Sequence, residues 1–424
     1  MIRSSNEPIR VFEYKSLAYK GKHKHPGFNQ KMLRAFESYF QENERTPFFE
    51  LIPNGVRFKQ YVGAIQVGNT TIEVLPKAGK EGNEESWQGV LLDMLKACHL
   101  LTAKETGTAQ LRLRSNSVLD LYFELFIQEV EDLFHQGLIK KYRTRQGQQK
   151  ALRGSLVFSQ HLRKNIVHKE RFYTRHSTYD RNHLLHQILI EALSLVELFS
   201  TSPHLQDRIG RLKLDFPEVS PLKIKASHFD KLKLDRKSYP YRKAIEIAKL
   251  LILNFRPDIS SGKQDLLAIM FDMNQLWEEY IFQTLKRKVS SEWMVMSQQS
   301  RSFWEHKKIR PDLILKSRRN PDETYVIDTK WKVIDNRHPA DDDLKQMYVY
   351  NHHWDSTHSM LLYPRSSDQQ DNRGMYSLKQ NEMEHHCILG FVDVLDNGRL
   401  SQNIAEEIIE KVCDQKQVVP DPEH

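Results

Sequence analysis

The sequence predicts a multidomain α/β protein of the α+β type, whose C-terminal domain has a central mixed sheet flanked by helices. Three observations support this prediction. β-Branched and aromatic runs broken by hairpin dipeptides fill the first third of the chain, helical periodicity dominates the middle, and helix and strand patterns alternate after residue 263. With 424 residues, 39% of them hydrophobic and 28% charged, the chain is long enough for two or three cores.

Residues 1–115 are predicted to form an N-terminal mixed α/β domain that contains β-structure. The stretch GFNQKMLRAFESYFQEN has its apolar residues at helical spacing. The runs FFELIP, VRFKQYVGAIQVG and TTIEVLPKAG are separated by Asn54-Gly55 and Gly68-Asn69, and such dipeptides are hairpin signals. We therefore expect a small antiparallel sheet here, accompanied by helices.

Residues 116–262 are predicted to be a largely helical middle region. The stretch SVLDLYFELFIQEVEDLFHQG has the pattern of an amphipathic helix that ends at Gly137, and YRKAIEIAKLLILNF has the pattern of another. Between them, RNHLLHQILIEALSLVELF predicts an apolar helix with Asp180 as its N-cap. The stretch SSGKQ, residues 260–264, has the composition of a linker and marks the last domain boundary.

A basic segment, residues 140–175, lies within this middle region. It contains eleven Lys or Arg residues and a single acid, Glu170, with aromatic residues interleaved. Three interpretations remain open: a solvated charged face, a surface that follows a phosphate backbone, or a contact with an acidic protein partner. The residues proposed to contact DNA or a partner are Lys140, Lys141, Arg143, Arg145, Lys150 and Arg153.

Residues 263–424 are predicted to form the C-terminal α/β domain. A long helix is expected over LLAIMFDMNQLWEEYIFQTLKRKV, followed by a strand at WMVMSQQ and two stronger strands at IRPDLIL and YVIDTKWK. A helix at DDDLKQMYVYNHH, strands at SMLLYP and HHCILGFVDV, and a helix at NIAEEIIEKVC complete the domain. This order predicts a mixed sheet with helices on its faces.

The composition favours a cytoplasmic protein. The N-terminal stretch has no apolar signal-peptide core, and the apolar runs are too short to span a bilayer. The three cysteines are scattered without CxxC spacing, which fits a reducing compartment. The formal net charge of +8 is only a weak indication of a polyanionic partner.

Acidic residues within two apolar runs indicate the chemistry. In YVIDTKWK the alternation of a strand places Asp328 and Lys330 on one face, about two strand rises (~6.6 Å) apart. If IRPDLIL pairs beside it, Asp312 reaches the same place. Two carboxylates, the backbone carbonyl of Thr329 and waters would form an oxygen site suited to Mg²⁺. Lys330 could then orient a water for attack on a phosphodiester.

Each of these residues also has a structural interpretation. Lys330 and one aspartate could form a buried ion pair. Glu278 lies on the helix that enters the domain and could supply a third acid, or it could be a solvated helix position. Gln346 lies one helical turn before Tyr350 and could bind the phosphate or position the lysine, or it could be a surface residue.

Taken together, Pro311-Asp312, Asp328-Thr329-Lys330 and Gln346…Tyr350, with Glu278 upstream, resemble the PD-(D/E)xK nuclease superfamily. The phrases MNQLWEEY, RPDLIL, VIDTKWK and DLKQMYVY resemble the McrC family, the nuclease subunits of McrBC systems that restrict DNA carrying 5-methylcytosine. The resemblance implies a restriction-endonuclease-like domain, Mg²⁺ and cleavage of double-stranded DNA with modified cytosine. It also implies an McrB-like AAA+ GTPase oligomer as partner, whose GTP hydrolysis the region before the nuclease stimulates.

The sequence has no GxxxxGK[ST] stretch, so GTP is expected to bind the partner and not this chain. Two other functions remain possible. The chain could be a non-catalytic adaptor that activates an AAA+ motor and retains a vestigial site, or a stand-alone DNA repair nuclease. Metal binding that depends on Asp312 separates the adaptor from a nuclease, and cleavage without nucleotide or partner identifies a stand-alone nuclease.

Overall fold

The computed structural model describes residues 7–42, 46–79, 82–98, 100, 117–256, 266–289, 291–320, 323–334, 339–366, 369–377 and 384–413. The chain forms two compact units, Met1–Thr108 with Asp258–His424, and Ala109–Pro257. The three-domain division expected from the sequence stays a prediction. None of the helices in the described ranges combines the length and the apolar character that a transmembrane span requires.

The described residues have the mixed α/β composition that the sequence predicts. The strands are β1 (Ile9–Phe12), β2 (Ser16–Ala18), β3 (Phe49–Ile52), β4 (Gly55–Phe58), β5 (Tyr61–Val67), β6 (Thr70–Leu75), β7 (Lys141–Gln149), β8 (Ser155–Leu156), β9 (Phe172–Asp180), β10 (Phe255–Arg256), β11 (Leu266–Asp272), β12 (Trp293–Ser297), β13 (Arg301–Trp304), β14 (Lys307–Ile309), β15 (Leu313–Ser317), β16 (Thr324–Thr329), β17 (His358–Pro364), β18 (Asn372–Met375), β19 (His386–Val392), β20 (Leu395–Asp396) and β21 (Arg399–Leu400).

The helices vary in length from one turn to five turns. They are α1 (Gln30–Glu42), α2 (Glu84–Ala97), α3 (Val118–Gln136), α4 (Phe158–Asn165), α5 (Leu184–Phe199), α6 (Pro203–Asp215), α7 (Ala226–Asp230), α8 (Arg242–Leu253), α9 (Met273–Val289), α10 (Asp341–His353) and α11 (Ile404–Cys413).

In the first unit, the N-terminal residues form two small sheets. One has the order β2-β4-β3, and the other contains β1, β6, β5 and β11 in that order. The Asn54-Gly55 hairpin predicted from the sequence joins β3 and β4, and Asn54 adopts a positive φ of 63°. Helix α1 packs its apolar face, including Phe36, against these sheets.

The prediction of one long helix from Leu266 is wrong at its beginning. Leu266–Asp272 is strand β11, which pairs antiparallel with β5 over its whole length. Helix α9 begins at Met273. The carboxylate of Asp272, just before it, accepts a hydrogen bond from the backbone amide of Asn274 at 2.9 Å. A continuous apolar run fits a buried strand as well as a helix, so the pairing with β5 decides the conformation.

A six-stranded mixed sheet forms the C-terminal part of this unit, in the order β12-β15-β16-β17-β19-β18. Strands β15 and β16 are antiparallel, whereas β16, β17 and β19 run parallel. Helix α10 packs on one face of the sheet, where Met347 and Tyr350 join a core with Val326 and Leu361. The fold class predicted from the sequence is confirmed.

The second unit is largely helical and contains a small exposed sheet. Helices α3, α5 and α8 supply its buried apolar residues, and α3 ends at Gly137, as predicted. The basic segment forms most of a three-stranded antiparallel sheet of order β7-β9-β8. The prediction of Asp180 as an N-cap is wrong: Asp180 ends β9, and α5 begins after His183, because the Asp180 carboxylate accepts from the amide of Asn182 instead.

Candidate functional site

The first unit brings the predicted acids together at one end of the central strands. The antiparallel register pairs Leu313 with Ile327, so Asp312 lies one position beyond β15 and opposite Asp328. Asp312 thus precedes its strand instead of lying within it, and Lys330 is the first residue after β16. Both positions allow side chains to leave the sheet where the strands end, although Asp328 itself is only 2% exposed.

Asp312 is held in place by its neighbour across the strands. One carboxylate oxygen, Oδ2, accepts hydrogen bonds from the backbone amide of Thr329 at 2.7 Å and from its hydroxyl at 3.0 Å. Burial raises the pKa of Asp312, and the negative charge of Glu278 raises it further, whereas the two bonds from Thr329 lower it. The predicted role of the Thr329 carbonyl as a metal ligand stays a prediction.

Asp328 and Lys330 are paired directly. The Lys330 ammonium lies 2.6 Å from Oδ2 of Asp328 and 3.5 Å from Oδ1 of Asp343. Burial raises the pKa of Asp328, the charge of Asp312 adds to this effect, and Lys330 opposes it. Burial alone would lower the pKa of Lys330, but the charges of Asp328 and Asp343 outweigh it, so the lysine stays protonated.

Glu278 belongs to the same electrostatic cluster. It lies on α9, and its Oε1 accepts a hydrogen bond from the side-chain amide of Gln298 at 2.8 Å. Burial raises the pKa of Glu278; Gln298 and the charge of Arg310 lower it, and Asp328 raises it. Glu278 is therefore half-buried and coupled to the charge of Asp328, and its role as a third acid stays a prediction.

Gln346 and Tyr350 form a relay on α10 toward the strand that carries Asp312. The Gln346 amide lies 2.6 Å from the Tyr350 hydroxyl, to which it donates, and that hydroxyl donates to the carbonyl of Arg310 at 2.9 Å. The charges of Asp328, Asp312 and Lys330 all influence the pKa of Tyr350, after burial and the Gln346 bond. The predicted helical spacing is therefore used in the structure, but Gln346 contacts the tyrosine and not the lysine.

Sequence reasoning missed two residues at this site. Asp343 contacts both Lys330 and Lys332, the latter at 2.8 Å. Its position three residues before Gln346, on the same helical face, was the available signal. The second is Glu13, whose Oε1 accepts from the Trp331 indole at 2.7 Å and the Lys77 amide at 3.0 Å. No local sequence signal connects Glu13 to Trp331, which follows β16 and lies 318 residues later in the chain.

The donor set suits one hard divalent cation. Asp328 is buried and Asp312 is half-buried. The charge of Asp312 raises the pKa of Asp328, the charge of Glu278 raises that of Asp312, and a divalent cation would neutralise this repulsion. Within the described ranges, no group of three or more His, Cys, Asp or Glu side chains is arranged to hold a metal ion. A fit therefore requires two carboxylates completed by backbone, water and substrate oxygens, which is how Mg²⁺ is commonly bound.

The predicted contact residues of the basic segment lie on or beside the small sheet of the second unit. Lys141, Arg143 and Arg145 are on β7, Lys140 precedes it, and Lys150 and Arg153 follow it. Arg143 and Arg145 both pair with Asp180, at 3.0 and 3.4 Å. Lys140, Lys150 and Arg153 are exposed.

The family model of the McrBC 5-methylcytosine restriction system component matches residues 56–364, which is more than half of the chain. No curated protein matches.

Two solved structures from Thermococcus gammatolerans are similar. A chain of the refined half-complex from the tetradecameric assembly of McrB AAA+ hexamers with bound McrC is 20% identical, with a TM-score of 0.67, over 95% of this chain and 100% of that chain. A chain of the McrBC complex solved by cryo-EM is 21% identical, with a TM-score of 0.49, over 66% and 87%. The first match shows a shared fold.

Proposed function

The chain belongs to the family of McrBC 5-methylcytosine restriction system components, and from this premise we propose that it is the Mg²⁺-dependent DNA endonuclease subunit of such a complex. Its substrate would be double-stranded DNA that carries modified cytosine. One observation carries the proposal: Asp312, Asp328 and Lys330 meet where two antiparallel strands of a mixed sheet end. Two acids that can hold a divalent cation, with a lysine beside them, suit metal-dependent cleavage of a phosphodiester.

The acids of this chain have distinct tasks in the proposed reaction. Asp312 and Asp328 would hold the metal, with the Thr329 carbonyl as a further ligand, and Glu278 would add negative charge beside them. When bound, Mg²⁺ supplies Lewis acidity toward the phosphate and neutralises developing charge. The two hydrogen bonds from Thr329 fix the orientation of Asp312 beforehand, so little reorganisation is needed.

Lys330 would orient the attacking water and offset charge on the phosphate. Its ammonium lies between Asp328 and Asp343, which keep it protonated and point it toward the strand ends. A protonated lysine donates hydrogen bonds but does not remove a proton, so its proposed role is orientation and electrostatic stabilisation. Gln346, held by Tyr350, would act as a positioning residue at the edge of the site.

The proposed partner is an McrB-like AAA+ GTPase oligomer. The structure of the Thermococcus gammatolerans protein contains McrB AAA+ hexamers with bound McrC. We assign the contact with the motor, and the stimulation of its GTP hydrolysis, to the basic segment of this chain. GTP would bind the partner, because the sequence of this chain has no phosphate-binding loop of the P-loop type.

The test is cleavage of methylated DNA by the full chain with the partner, GTP and Mg²⁺. Asp328→Ala and Lys330→Ala should lower the rate of cleavage by at least about 10²-fold, while assembly with the motor and GTP hydrolysis persist. Lys316→Ala, a lysine on the neighbouring strand β15, is the matched control and should cut normally. Cleavage by either site variant at the rate of the unmodified protein would show that the assignment is wrong.

A second function, the non-catalytic adaptor, has one observation in its favour. The Lys330 ammonium lies 2.6 Å from Oδ2 of Asp328, a distance that also fits a structural ion pair. If the chain is an adaptor, the Asp328→Ala variant stimulates the motor normally. Neither the unmodified chain nor the variant then cuts DNA. Cleavage by the unmodified complex alone excludes it.

A further inference from the structure

A two-stranded hairpin extends from the segment beside Asp312. Its residues have no role in the proposed cleavage reaction. It consists of β13 and β14 and joins Gln298 to Arg310. Both ends of this excursion are fixed at the site. Gln298 donates its backbone amide to the Asp312 carbonyl at 2.9 Å and its side-chain amide to Glu278, and the Arg310 carbonyl accepts from Tyr350.

The hairpin exposes large aromatic side chains to solvent. Phe303 is 52% exposed and Trp304, beside the turn at Glu305, is 60% exposed. Every residue from Arg301 to Lys308 is exposed. Such aromatic exposure costs solvation free energy without any return in the free protein, and it is typical of surfaces that meet a partner.

The hairpin is nevertheless anchored. The Arg301 guanidinium donates to the backbone carbonyl of His353 at the end of α10 and lies over the Trp354 ring, 5.2 Å from its centroid. Phe303 packs edge to face on the His353 ring, with centroids 5.8 Å apart. The aromatic side chains are thus presented by a fixed element, which favours a binding role over a loose loop.

A cavity of about 830 Å³ separates the hairpin from α10. Phe303, Lys308 and Arg310 line it on one side, and Lys345, Gln346 and Tyr350 line it on the other, together with Asp342, which pairs with Lys345 at 3.5 Å. Among the described residues, no carboxylate lies within ion-pair distance of Lys307, Lys308 or Arg310. The charge of Arg310 acts on Glu278 within the site, whereas Lys307 and Lys308 face solvent. Exposed lysines beside the proposed nuclease site are complementary to a nucleic-acid backbone.

We propose that this hairpin and the cavity beneath it bind the DNA duplex immediately beside the scissile phosphate. Lys307, Lys308 and Arg310 contact backbone phosphates, and Trp304 at the tip packs against a deoxyribose or an unstacked base. The inference rests on the proposed nuclease function, because it names the DNA-binding element of that site. Gln298 and Arg310 join the hairpin to the segment that carries Asp312, so a duplex bound to the hairpin is held in a fixed position relative to Asp312.

The test measures binding of the full chain to a fluorescein-labelled DNA duplex by anisotropy, with Ca²⁺ in place of Mg²⁺ so that no cleavage is needed. Lys307→Ala/Lys308→Ala should weaken binding at least about tenfold and lower the salt dependence of the affinity by about two phosphate contacts. Trp304→Ala should weaken it at unchanged salt dependence, and Trp304→Phe should restore most of it.

Lys31→Ala/Arg34→Ala is the matched control, since both residues are exposed on α1 of the same unit and the change in net charge is equal. It should bind DNA as the unmodified chain does. Thermal unfolding of each variant identifies any loss of fold, and Trp304→Phe keeps the test valid if Trp304→Ala unfolds.

Unchanged DNA affinity in both hairpin variants would overturn the inference, whether or not the motor binds more weakly. This result is distinguishable from failure of the proposed function, which appears as DNA cleavage by Asp328→Ala.

Discussion

Two charge-rich regions of this chain differ in the burial of their side chains. The difference decides how much the charged residues of each region indicate about its function. At the strand ends, the Asp328 side chain is 3% exposed and Lys330 is 25% exposed. On the β7-β9-β8 sheet of the second unit, Arg145 is 46% exposed and Tyr142 is 78% exposed. One region concentrates its charge inside the protein, and the other displays charge to water.

Burial makes position specific. Burial of a carboxylate without partners costs several kcal/mol of folding free energy. A buried carboxylate therefore needs a cation or a hydrogen-bond donor beside it, and these neighbours define a site. An exposed lysine costs almost nothing, so the same run fits a solvated face, a DNA surface or a protein contact. Charge inside a strand is therefore informative about chemistry, whereas a charge run on a surface identifies only a class of partner.

The largest expected effect is at the buried region. Lys330→Ala should lower the rate of DNA cleavage by about 10²–10³-fold, because the group that stabilises developing phosphate charge is lost. The measurement is the single-turnover rate with partner, GTP and Mg²⁺ present. Lys332→Ala is the control, since Lys332 also pairs with Asp343 but its side chain is 46% exposed. Equal losses in the two variants would contradict the special role of Lys330.

The next effect concerns Glu13, a buried acid outside the set proposed to bind the metal. Burial raises the pKa of Glu13 from 4.5 to about 7, despite bonds from Trp331 and the Lys77 amide. The folded state keeps a proton that the unfolded chain releases, so stability is full at low pH and falls as pH rises through this range. Glu13→Gln keeps the Oε1 acceptor and should raise the free energy of unfolding by ~3 kcal/mol above pH 7.

The measurement for Glu13 is urea unfolding of the full chain at several pH values. The gain from Glu13→Gln should vanish near pH 4, where Glu13 is neutral in both states. Glu50→Gln, at a side chain 46% exposed, is the control and should change stability little at any pH. A gain that does not depend on pH would show that burial of the charge is not its cause.

A smaller effect is expected at the exposed basic sheet. Replacing Lys140, Lys150 and Arg153 together by Ala should reduce stimulation of the motor's GTP hydrolysis about tenfold. A tenfold reduction corresponds to a loss of about 1.4 kcal/mol of binding free energy between the sheet and the motor. Replacing the exposed Lys231, Lys233 and Arg236 should not. If stimulation persists while DNA affinity and its salt dependence fall, the sheet is a DNA surface instead.

The smallest effect compares one hydroxyl in each region. Tyr350→Phe removes the bonds to Gln346 and to the Arg310 carbonyl and should cost about 1 kcal/mol of stability. Tyr142→Phe, on the exposed sheet, should stay within about 0.5 kcal/mol of the unmodified chain. Chemical denaturation of both variants checks this. Equal costs would mean that the Tyr350 relay contributes nothing to the site.

The same contrast explains what the sequence could predict. Strand alternation predicts that Asp328 and Lys330 lie on one face. In the structure, the Lys330 ammonium lies 2.6 Å from Oδ2 of Asp328. Helical spacing linked Gln346 to Tyr350. Both are local periodicities. The conformation of Leu266–Asp272 was mistaken because its partner, β5, lies 200 residues earlier in the chain.

Asp343 and Glu13 were missed for related reasons. Asp343 stands in an acidic run at a helix N-terminus, where three consecutive aspartates look alike until the helix is docked on the sheet. Glu13 acquires its environment only when the N-terminal strands meet Trp331. Helical spacing places Asp343 on the face of Gln346, but only packing on the sheet shows that it meets Lys330 and Lys332. For Glu13, tertiary packing is the only signal.

Divalent metal binding by the full chain tests the central claim most directly. Calorimetric titration with Mn²⁺ should show a site whose affinity falls at least about tenfold in Asp312→Asn, a variant that retains the acceptor for the Thr329 amide. Indistinguishable isotherms for Asp312→Asn and the unmodified chain would mean that the meeting of these strand ends is a structural ion-pair network and not a nuclease centre.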